Sequence, residues 1–145
     1  MESSYLIHTD GGARGNPGPA AIGIILEGPD IGRKEYGEYI GEATNNVAEY
    51  TAVIFALKKL KSLVGSERAS QSTALVHADS ELLVRQLNGK YKIKEAGIQD
   101  LFLQVWNLRL DFGQVTFVHV PRERNHHADQ MVNQALDKEA SKLAL

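Results

Sequence analysis

Four acidic residues stand where short strands or helices are predicted to begin or end: Asp10, Glu49, Asp79 and Asp129. Carboxylate oxygens are preferred ligands of Mg²⁺ and Mn²⁺, and four carboxylates in one crevice repel one another strongly unless cations neutralise them. Two such ions, roughly 3.5 to 4 Å apart, can activate water and stabilise the leaving oxygen in phosphodiester hydrolysis. If the fold brings the four acids together, they predict a two-metal hydrolytic site.

Each acid also has a purely local explanation. Asn46 followed by Glu49 resembles a capping box, which alone would account for the glutamate. Asp129 could simply oppose the positive end of its helix, and Asp10 could belong to a turn with the two glycines that follow it. For any single carboxylate the local explanation is favoured, whereas the combination of four favours a metal site.

The elements around these acids follow from apolar spacing and from Gly, Pro and Asn punctuation. The predicted strands are Tyr5 to Asp10, Ala20 to Glu27, Arg33 to Gly41, Thr73 to Asp79 and Val115 to Val120. The predicted helices are Asn46 to Val64, a short one capped by Ser80 and ending near Leu87, Ile98 to Leu110, and Asn125 to about Leu143. Three sequential strands predict a meander, and the later alternation of strands and helices predicts parallel crossovers in a mixed α/β sheet.

This order of elements predicts where the acids lie. Asp10 and Asp79 each end a strand, so parallel neighbours would place them side by side at the carboxyl edge of the sheet. Glu49 and Asp129 are predicted in the first turns of their helices, near the positive helix ends and able to face the same crevice.

The composition is that of a single globular domain. The chain has 145 residues, of which 43% are hydrophobic and 23% charged, and it has no cysteine. Disulfides, thiolate chemistry and cysteine-ligated zinc are therefore excluded. No apolar stretch is long enough to span a membrane, and the N-terminus lacks the features of a signal peptide, so we expect a cytoplasmic protein.

The net charge of -2 argues weakly against nucleic-acid binding, but the distribution of basic residues offsets it. The basic residues cluster at Lys58, Lys59 and Lys61, at Lys90, Lys92 and Lys94, and at Arg122 and Arg124. Any one cluster is more simply explained as a solvated surface.

Four segments, in chain order, strongly resemble the signatures of type 1 ribonuclease H. They are Thr9 to Gly18, Thr44 to Tyr50, Ala78 to Ser80 and Asn125 to Asp129. The resemblance implies one ribonuclease H domain over residues 1–145. It also implies the ribonuclease H-like α/β fold, with a five-stranded mixed sheet in the order 3-2-1-4-5, strand 2 antiparallel, flanked by helices. The implied activity is endonucleolytic hydrolysis of the RNA strand of RNA/DNA hybrids, leaving 5'-phosphate and 3'-hydroxyl ends.

The resemblance also implies roles for the acids. Asp10 and Asp79 correspond to the central ligands of two Mg²⁺ ions, for which Mn²⁺ is a candidate substitute. Glu49 would help hold one ion and orient water beside the RNA, and Asp129 would complete the shell of the other ion.

Substrate contacts are implied for the backbone of Gly11 and for Asn45 and Asn46, which would meet RNA 2'-hydroxyls or the neighbouring DNA. Asn46 has the alternative role of a helix cap. Asn16 is equally well explained by a tight turn formed with Pro17 and Gly18.

The sequence departs from the best-known bacterial pattern in two places. Arg122 stands where that pattern has a loop histidine, and it could bind phosphate but could not act as a base, because it stays protonated. His126 and His127 are better explained as surface residues. Only a short basic segment, residues 88–94, replaces the long basic protrusion, so hybrid affinity is expected to be modest and sensitive to salt.

Two alternatives remain open from the sequence: another nuclease of the ribonuclease H-like fold, such as a resolvase or reverse-transcriptase-type domain, and a hybrid-binding module without catalysis. The expected partner is an RNA/DNA hybrid, with double-stranded RNA as a further candidate. No membrane association and no obligatory protein partner are expected.

Overall fold

A five-stranded mixed sheet forms the centre of the computed structural model, which describes residues 3–143. The strands are β1 (Ser4–Ala13), β2 (Gly18–Gly28), β3 (Gly32–Ala43), β4 (Thr73–Ala78) and β5 (Gln114–His119). Their order is β3-β2-β1-β4-β5. β2 is antiparallel to both neighbours, β4 is parallel to β1, and β5 is parallel to β4. The predicted fold class and strand order are confirmed.

Five α-helices connect or follow these strands. They are α1 (Asn45–Val64), α2 (Ser66–Ser70), α3 (Glu81–Leu87), α4 (Ala96–Arg109) and α5 (His126–Leu143), and a 3-10 turn, Arg122–Arg124, precedes the last helix. Ser80 caps α3 as expected, since its side chain accepts a hydrogen bond from the Leu83 backbone nitrogen at 3.2 Å. Within residues 3–143, no helix has the length and apolar character needed to cross a membrane.

The two faces of the sheet carry different helices, because side chains alternate along each strand. Ile22, Ile24 and Leu26 of β2 belong to the main core, which also contains the buried face of α1. Ala21 points to the opposite face and packs with Val132 and Leu136 of α5. The sheet is therefore enclosed between α1 on one side and α5 on the other.

Glycines allow both helices to approach the sheet closely. A Cβ atom on Gly11 of β1 would overlap the backbone of Ala48 in α1, and one on Gly23 of β2 would overlap the carbonyl group of Ala128 in α5. Only glycine fits at these two contacts. The two helices are thus fixed against the sheet one residue before each carries an acid, Glu49 and Asp129.

Three local predictions at the start of the chain are wrong. β1 runs on to Ala13 instead of ending at Asp10, because its antiparallel ladder with β2 continues after its parallel ladder with β4 has ended. The two glycines after Asp10 are therefore strand residues and do not form a turn. Gly18, placed in a tight turn from the sequence, is the first residue of β2.

The cap of α1 also differs from the prediction. Thr44 caps this helix, and its hydroxyl accepts a hydrogen bond from the Val47 nitrogen at 3.2 Å. Asn46 is consequently inside the first turn, and the capping-box explanation of Glu49 is wrong.

The short helix α2 and the 3-10 turn were not predicted. In α2 only Ala69 is buried, so no apolar repeat marks it as a helix. The preceding Gly65 stops α1 as expected, at a φ of 89° that favours glycine.

Candidate active site

Asp10 and Asp79 occupy matching places on two parallel strands. The last residue pair of the β1–β4 ladder is Thr9 with Ala78, and each aspartate directly follows its member of that pair. Two residues earlier on the same two strands, the rings of His8 and His77 lie 5.1 Å apart, which shows that the two side-chain rows share a face. The predicted pairing of Asp10 with Asp79 at the edge of the ladder is confirmed.

Glu49 and Asp129 reach this edge from opposite sides of the sheet. Asp129 lies in the first turn of α5, as predicted. Glu49 does not lie in the first turn of α1, which contains no acidic residue, because the helix starts at Asn45. Its placement comes from the close packing of Ala48 on Gly11 rather than from the helix dipole.

All four acids line one polar cleft of about 330 Å³. The other residues around it are Gly11, Gly12, Ala13, Arg14, Asn45, Arg122, Val132, Asn133 and Leu136. Its floor is the edge of the sheet, and the two helices form its walls.

The four acids influence one another's ionisation. Burial raises the pKa of Asp10 to about 8, together with the negative charges of Asp79 and Asp129. Burial also raises the pKa of Glu49 to about 7, and the Ser80 hydroxyl opposes that shift. The pKa of Asp79 is raised chiefly by burial, and the Arg122 guanidinium opposes that shift. A fully ionised cluster is therefore unfavourable unless cations are present.

The donors in the cleft fit hard divalent cations. All four side chains offer oxygen, and Asp79 Oδ2 is buried with no hydrogen-bond partner among residues 3–143. Within the same range, no three His, Cys, Asp or Glu side chains are already arranged closely enough to enclose one ion. The acids thus line one cleft, and their side chains would have to move closer together to enclose an ion.

The predicted substrate-contact residues near the cleft fall into two groups. Asn45 lines the cleft, where its Oδ1 accepts a hydrogen bond from the Ala13 nitrogen at 2.9 Å. Asn16 does not line it, and its Oδ1 accepts from the Asn45 nitrogen at 3.0 Å. Asn16 therefore supports Asn45, and Gly11 supports α1 in addition to any role of its backbone toward a substrate.

Asn46 faces a neighbouring groove of about 180 Å³ instead of the carboxylate cleft. Lys92 and Lys94, from one of the predicted basic clusters, line the same groove. The two adjacent asparagines, Asn45 and Asn46, therefore line two different clefts on either side of the start of α1.

Arg122 lies at the rim of the cleft, in the 3-10 turn before α5. Its Nε atom is 4.0 Å from Asp79 Oδ2, and its side chain is 84% exposed. This is too long for a hydrogen bond, so the guanidinium is close to the acids without being held by them. His126 and His127 are both exposed, as predicted.

Two residues at this site were given no role from the sequence, although Asn125 begins one of the four signature segments. Asn125 is buried and donates a hydrogen bond from Nδ2 to the Thr9 carbonyl oxygen at 2.8 Å. Asn133 lines the cleft, and its Nδ2 lies 3.2 Å from the Asp129 carbonyl oxygen. Spacing could have indicated Asn133, since residues four apart share a helix face. The bond from Asn125 to Thr9 spans 116 residues and has no local signal.

Comparison with known proteins identifies the family. The family described as reverse transcriptase-like matches residues 8–135. The chain is 38% identical over 141 residues to the bifunctional protein Rv2228c of Mycobacterium tuberculosis, an alignment that covers 96% of this chain and 37% of that protein. It is also 38% identical over 129 residues to ribonuclease HI of Halobacterium salinarum, covering 88% of this chain and 62% of that protein. The chain thus spans less than two thirds of the length of either relative.

A solved structure agrees over nearly its whole length. LC11-RNase H1, determined in complex with an RNA/DNA hybrid, superposes with a TM-score of 0.86 at 43% sequence identity, covering 94% of this chain and 99% of that chain. Together with the order of strands and the four acids around one cleft, these similarities show that the chain belongs to the type 1 ribonuclease H family.

Proposed function

We propose that this protein is a divalent-metal-dependent endoribonuclease that hydrolyses the RNA strand of RNA/DNA hybrids. The observation that carries this proposal is the convergence of Asp10, Glu49, Asp79 and Asp129 on one cleft at the carboxyl edge of β1 and β4. Burial and the negative charges of Asp79 and Asp129 raise the pKa of Asp10 to about 8, so four carboxylates in this cleft are hard to justify without cations.

Family membership and the oxygen-only donor set support Mg²⁺ as the cofactor, with Mn²⁺ as a substitute. We propose that the four acids would hold two such ions, with Asp10 and Asp79 as the central ligands. When bound, the ions supply an activated water and stabilise charge on the leaving oxygen. The products would then carry 5'-phosphate and 3'-hydroxyl ends.

The residues of the chain do the positioning. Glu49 reaches the cleft from α1, the wall opposite Asp129, and would orient the water beside the RNA. Asn45 is held by Ala13 and Asn16, which leaves its amide NH₂ group to meet the RNA strand. Arg122 is exposed at the rim and always charged, so it can receive the phosphate but cannot accept a proton.

The RNA/DNA hybrid is proposed as the substrate partly because a relative, LC11-RNase H1, was solved with one bound. In this chain the carboxylate cleft and the groove beside Asn46 lie on either side of the start of α1. We propose that one strand lies over each space, with Lys92 and Lys94 near the phosphates of the DNA. Residues 1–145 would act as one catalytic domain without an obligatory protein partner, and a cytoplasmic location stays a prediction.

The decisive experiment is cleavage of end-labelled duplexes, each with and without Mg²⁺. RNA/DNA, RNA/RNA and DNA/DNA duplexes of one sequence should be compared on a gel. We expect metal-dependent cuts in the RNA of the hybrid and none in DNA. Binding of the hybrid without cleavage would favour a non-catalytic binding module, and cuts in duplex DNA would favour a resolvase-like nuclease. The RNA/RNA lane decides whether double-stranded RNA is also a substrate.

A further inference from the structure

Asn125 is a buried polar side chain at the junction of three parts of the site. It is 1% exposed, and only Thr9 and Ser72 are equally buried polar residues within the part of the chain that the structure describes. Its Nδ2 donates to the Thr9 carbonyl oxygen at 2.8 Å. Thr9 immediately precedes Asp10 and pairs with Ala78 at the end of the β1–β4 ladder. The bond therefore fixes Asn125 to β1 next to the central acids.

The backbone of Asn125 connects the same point to Asp129 and Arg122. Its carbonyl oxygen accepts a hydrogen bond from the Asp129 nitrogen at 3.2 Å, which makes Asn125 the residue from which α5 starts. Its own nitrogen donates to the Arg122 carbonyl oxygen at 2.9 Å and closes the 3-10 turn. One residue therefore joins the strand of Asp10, the helix of Asp129 and the turn of Arg122.

The Asn125 side-chain amide uses only part of its hydrogen-bonding capacity. Its Oδ1 is buried without a hydrogen-bond partner among residues 3–143. A buried amide that leaves one polar atom unsatisfied is costly, and such a cost is commonly retained at functional sites.

We propose that Asn125 is a positioning residue that sets Asp129 against Asp10 and Asp79 and thereby determines the affinity of the cleft for divalent cations. This inference rests on the proposed function of the same site. Two of the four acids, Asp10 and Asp129, lie on elements that Asn125 connects, and the acids still have to close around the ions. Without the bond to Thr9, the start of α5 would be held to the sheet mainly by apolar packing, which constrains distance less strictly than a hydrogen bond of fixed length and direction.

A merely structural role can be separated from this one with a matched control. Asn88 also donates from Nδ2 to a strand carbonyl oxygen, that of Phe117 in β5, at 3.1 Å, and it does not line the carboxylate cleft. Asn88→Ala removes the same type of bond elsewhere on the sheet. Asn125→Ser keeps a good helix-starting residue but is too short to reach Thr9 in the same way, which provides a variant that folds if Asn125→Ala does not.

The test is a calorimetric titration of Mn²⁺ into each metal-free protein without substrate, together with the Mg²⁺ concentration that gives half-maximal hybrid cleavage. We expect Asn125→Ala and Asn125→Ser to weaken Mn²⁺ binding by about tenfold or more and to raise the Mg²⁺ requirement in parallel, as is usual when a group that orients metal ligands is lost. Asn88→Ala should lower the urea midpoint without changing either metal measurement.

The outcomes distinguish this inference from the proposed function. If the parent protein cleaves hybrids and the Asn125 variants fold with unchanged metal affinity, Asn125 is only an anchor for α5 and the inference is overturned. If Asn88→Ala weakens metal binding as much as Asn125→Ala, the effect is one of general stability and the inference is again overturned. If the parent neither binds Mn²⁺ nor cleaves any duplex, the proposed function falls and takes the inference with it.

Discussion

Gly11 of β1 lies directly against the backbone of Ala48 in α1, with no room for a Cβ atom between strand and helix. Because Glu49 follows Ala48, this contact sets the depth at which its carboxylate enters the cleft. The same glycine was singled out from the sequence for its backbone near the substrate. The packing adds a second reason why no larger residue fits at this position.

We therefore predict that Gly11→Ala destabilises the protein by about 1 to 3 kcal/mol, the usual cost of forcing an extra carbon into a close-packed contact. Gly12→Ala is the matched control, because its Cβ would meet only Val132 Cγ1 at 3.7 Å, an ordinary contact distance. In urea unfolding, Gly11→Ala should therefore have a lower free energy of unfolding than Gly12→Ala. Equal stability of both would show that α1 can move away from β1 at little cost.

The role of Asp79 predicts a large catalytic effect from a small change. Asp79→Asn should lower turnover by at least about a thousandfold, roughly 4 kcal/mol, because a neutral amide cannot share the charge of the metal pair. Circular dichroism should show an intact fold, since Asp79 Oδ2 makes no hydrogen bond within residues 3–143 that the change would break. Asp111→Asn, which alters an acid paired with Lys61 away from the cleft, should keep its activity. Retention of most activity in Asp79→Asn would remove it from the central ligands.

Arg122 should matter less than any central acid. We expect Arg122→Ala to reduce cleavage about tenfold, or 1.4 kcal/mol, with a smaller difference at high salt because an exposed charge is screened. Arg122→Lys should recover part of the loss. Arg124→Ala is the control, since Arg124 borders a separate small cavity beside His8. If neither change at Arg122 alters hybrid cleavage at low salt, it is simply a solvated surface residue.

The raised pKa of Asp10 predicts a pH-dependent stability of the metal-free protein. In the unfolded chain this carboxyl ionises near its ordinary pKa of about 3.9, whereas in the folded protein it keeps its proton up to a pKa of about 8. Between these values the unfolded state releases a proton that the folded state retains, so the contribution of Asp10 to stability falls as the pH rises from about 4 to about 8. Below about pH 4 the group is neutral in both states and the penalty disappears.

The measurement is the free energy of unfolding of Asp10→Asn and of the parent in chelator, across this pH range. The free energy of unfolding of Asp10→Asn, relative to that of the parent, should increase with pH by no more than about 1.4 kcal/mol per pH unit for a single proton. Taking the difference between the two proteins removes the common contributions of His8 and His77, whose pKa values burial lowers. A difference that stays constant with pH would mean that Asp10 is already ionised in the folded protein. Added Mg²⁺ should abolish the advantage at the alkaline end.

Periodicity and the ends of apolar segments were sufficient for the strands, most of the helices, the mixed sheet and the meeting of Asp10 with Asp79, whereas the strand order came from the resemblance to type 1 ribonuclease H. Local patterns were insufficient where tertiary contacts override them. Asp10 looks like the last residue of a strand, but pairing with β2 extends β1 by three residues beyond it, to Ala13. Asn46 looks like a helix cap, but Thr44 supplies the cap and moves Glu49 out of the first turn.

The predicted substrate-contact residues also depend on tertiary contacts that local sequence patterns do not reveal. Asn45 and Asn46 are adjacent and were treated as a pair, yet consecutive helical residues point about 100° apart and these two line different spaces. The bond from Asn16 to the Asn45 nitrogen and the bond from Asn125 to Thr9 join distant segments. No spacing rule reveals such contacts, which depend on how the loops at the sheet edge fold over one another.

The placement of Asn45 predicts that cutting requires ribose at the cleaved position. Its Oδ1 is already engaged by the Ala13 nitrogen, so the donor that remains is its NH₂ group. A 2'-hydroxyl can accept a hydrogen bond from that group and donate one of its own to a backbone carbonyl, and it is the group that distinguishes RNA from DNA. A deoxyribose in the cleft would leave these polar groups without partners, at a cost of about 1 to 3 kcal/mol each.

The test is a hybrid in which a few consecutive nucleotides of the RNA strand are replaced by deoxyribonucleotides, with the cut sites mapped on a gel against the all-RNA strand. Cuts should disappear inside the block and continue on the ribose side of it. The four acids can hold their ions whichever sugar is present, so discrimination must come from how the strand is positioned, not from metal binding. Asn45→Ala should accordingly weaken the preference for ribose while leaving Mn²⁺ affinity nearly unchanged. Cleavage within the deoxyribose block by the parent protein would contradict both the hybrid-specific mechanism and the part assigned to Asn45.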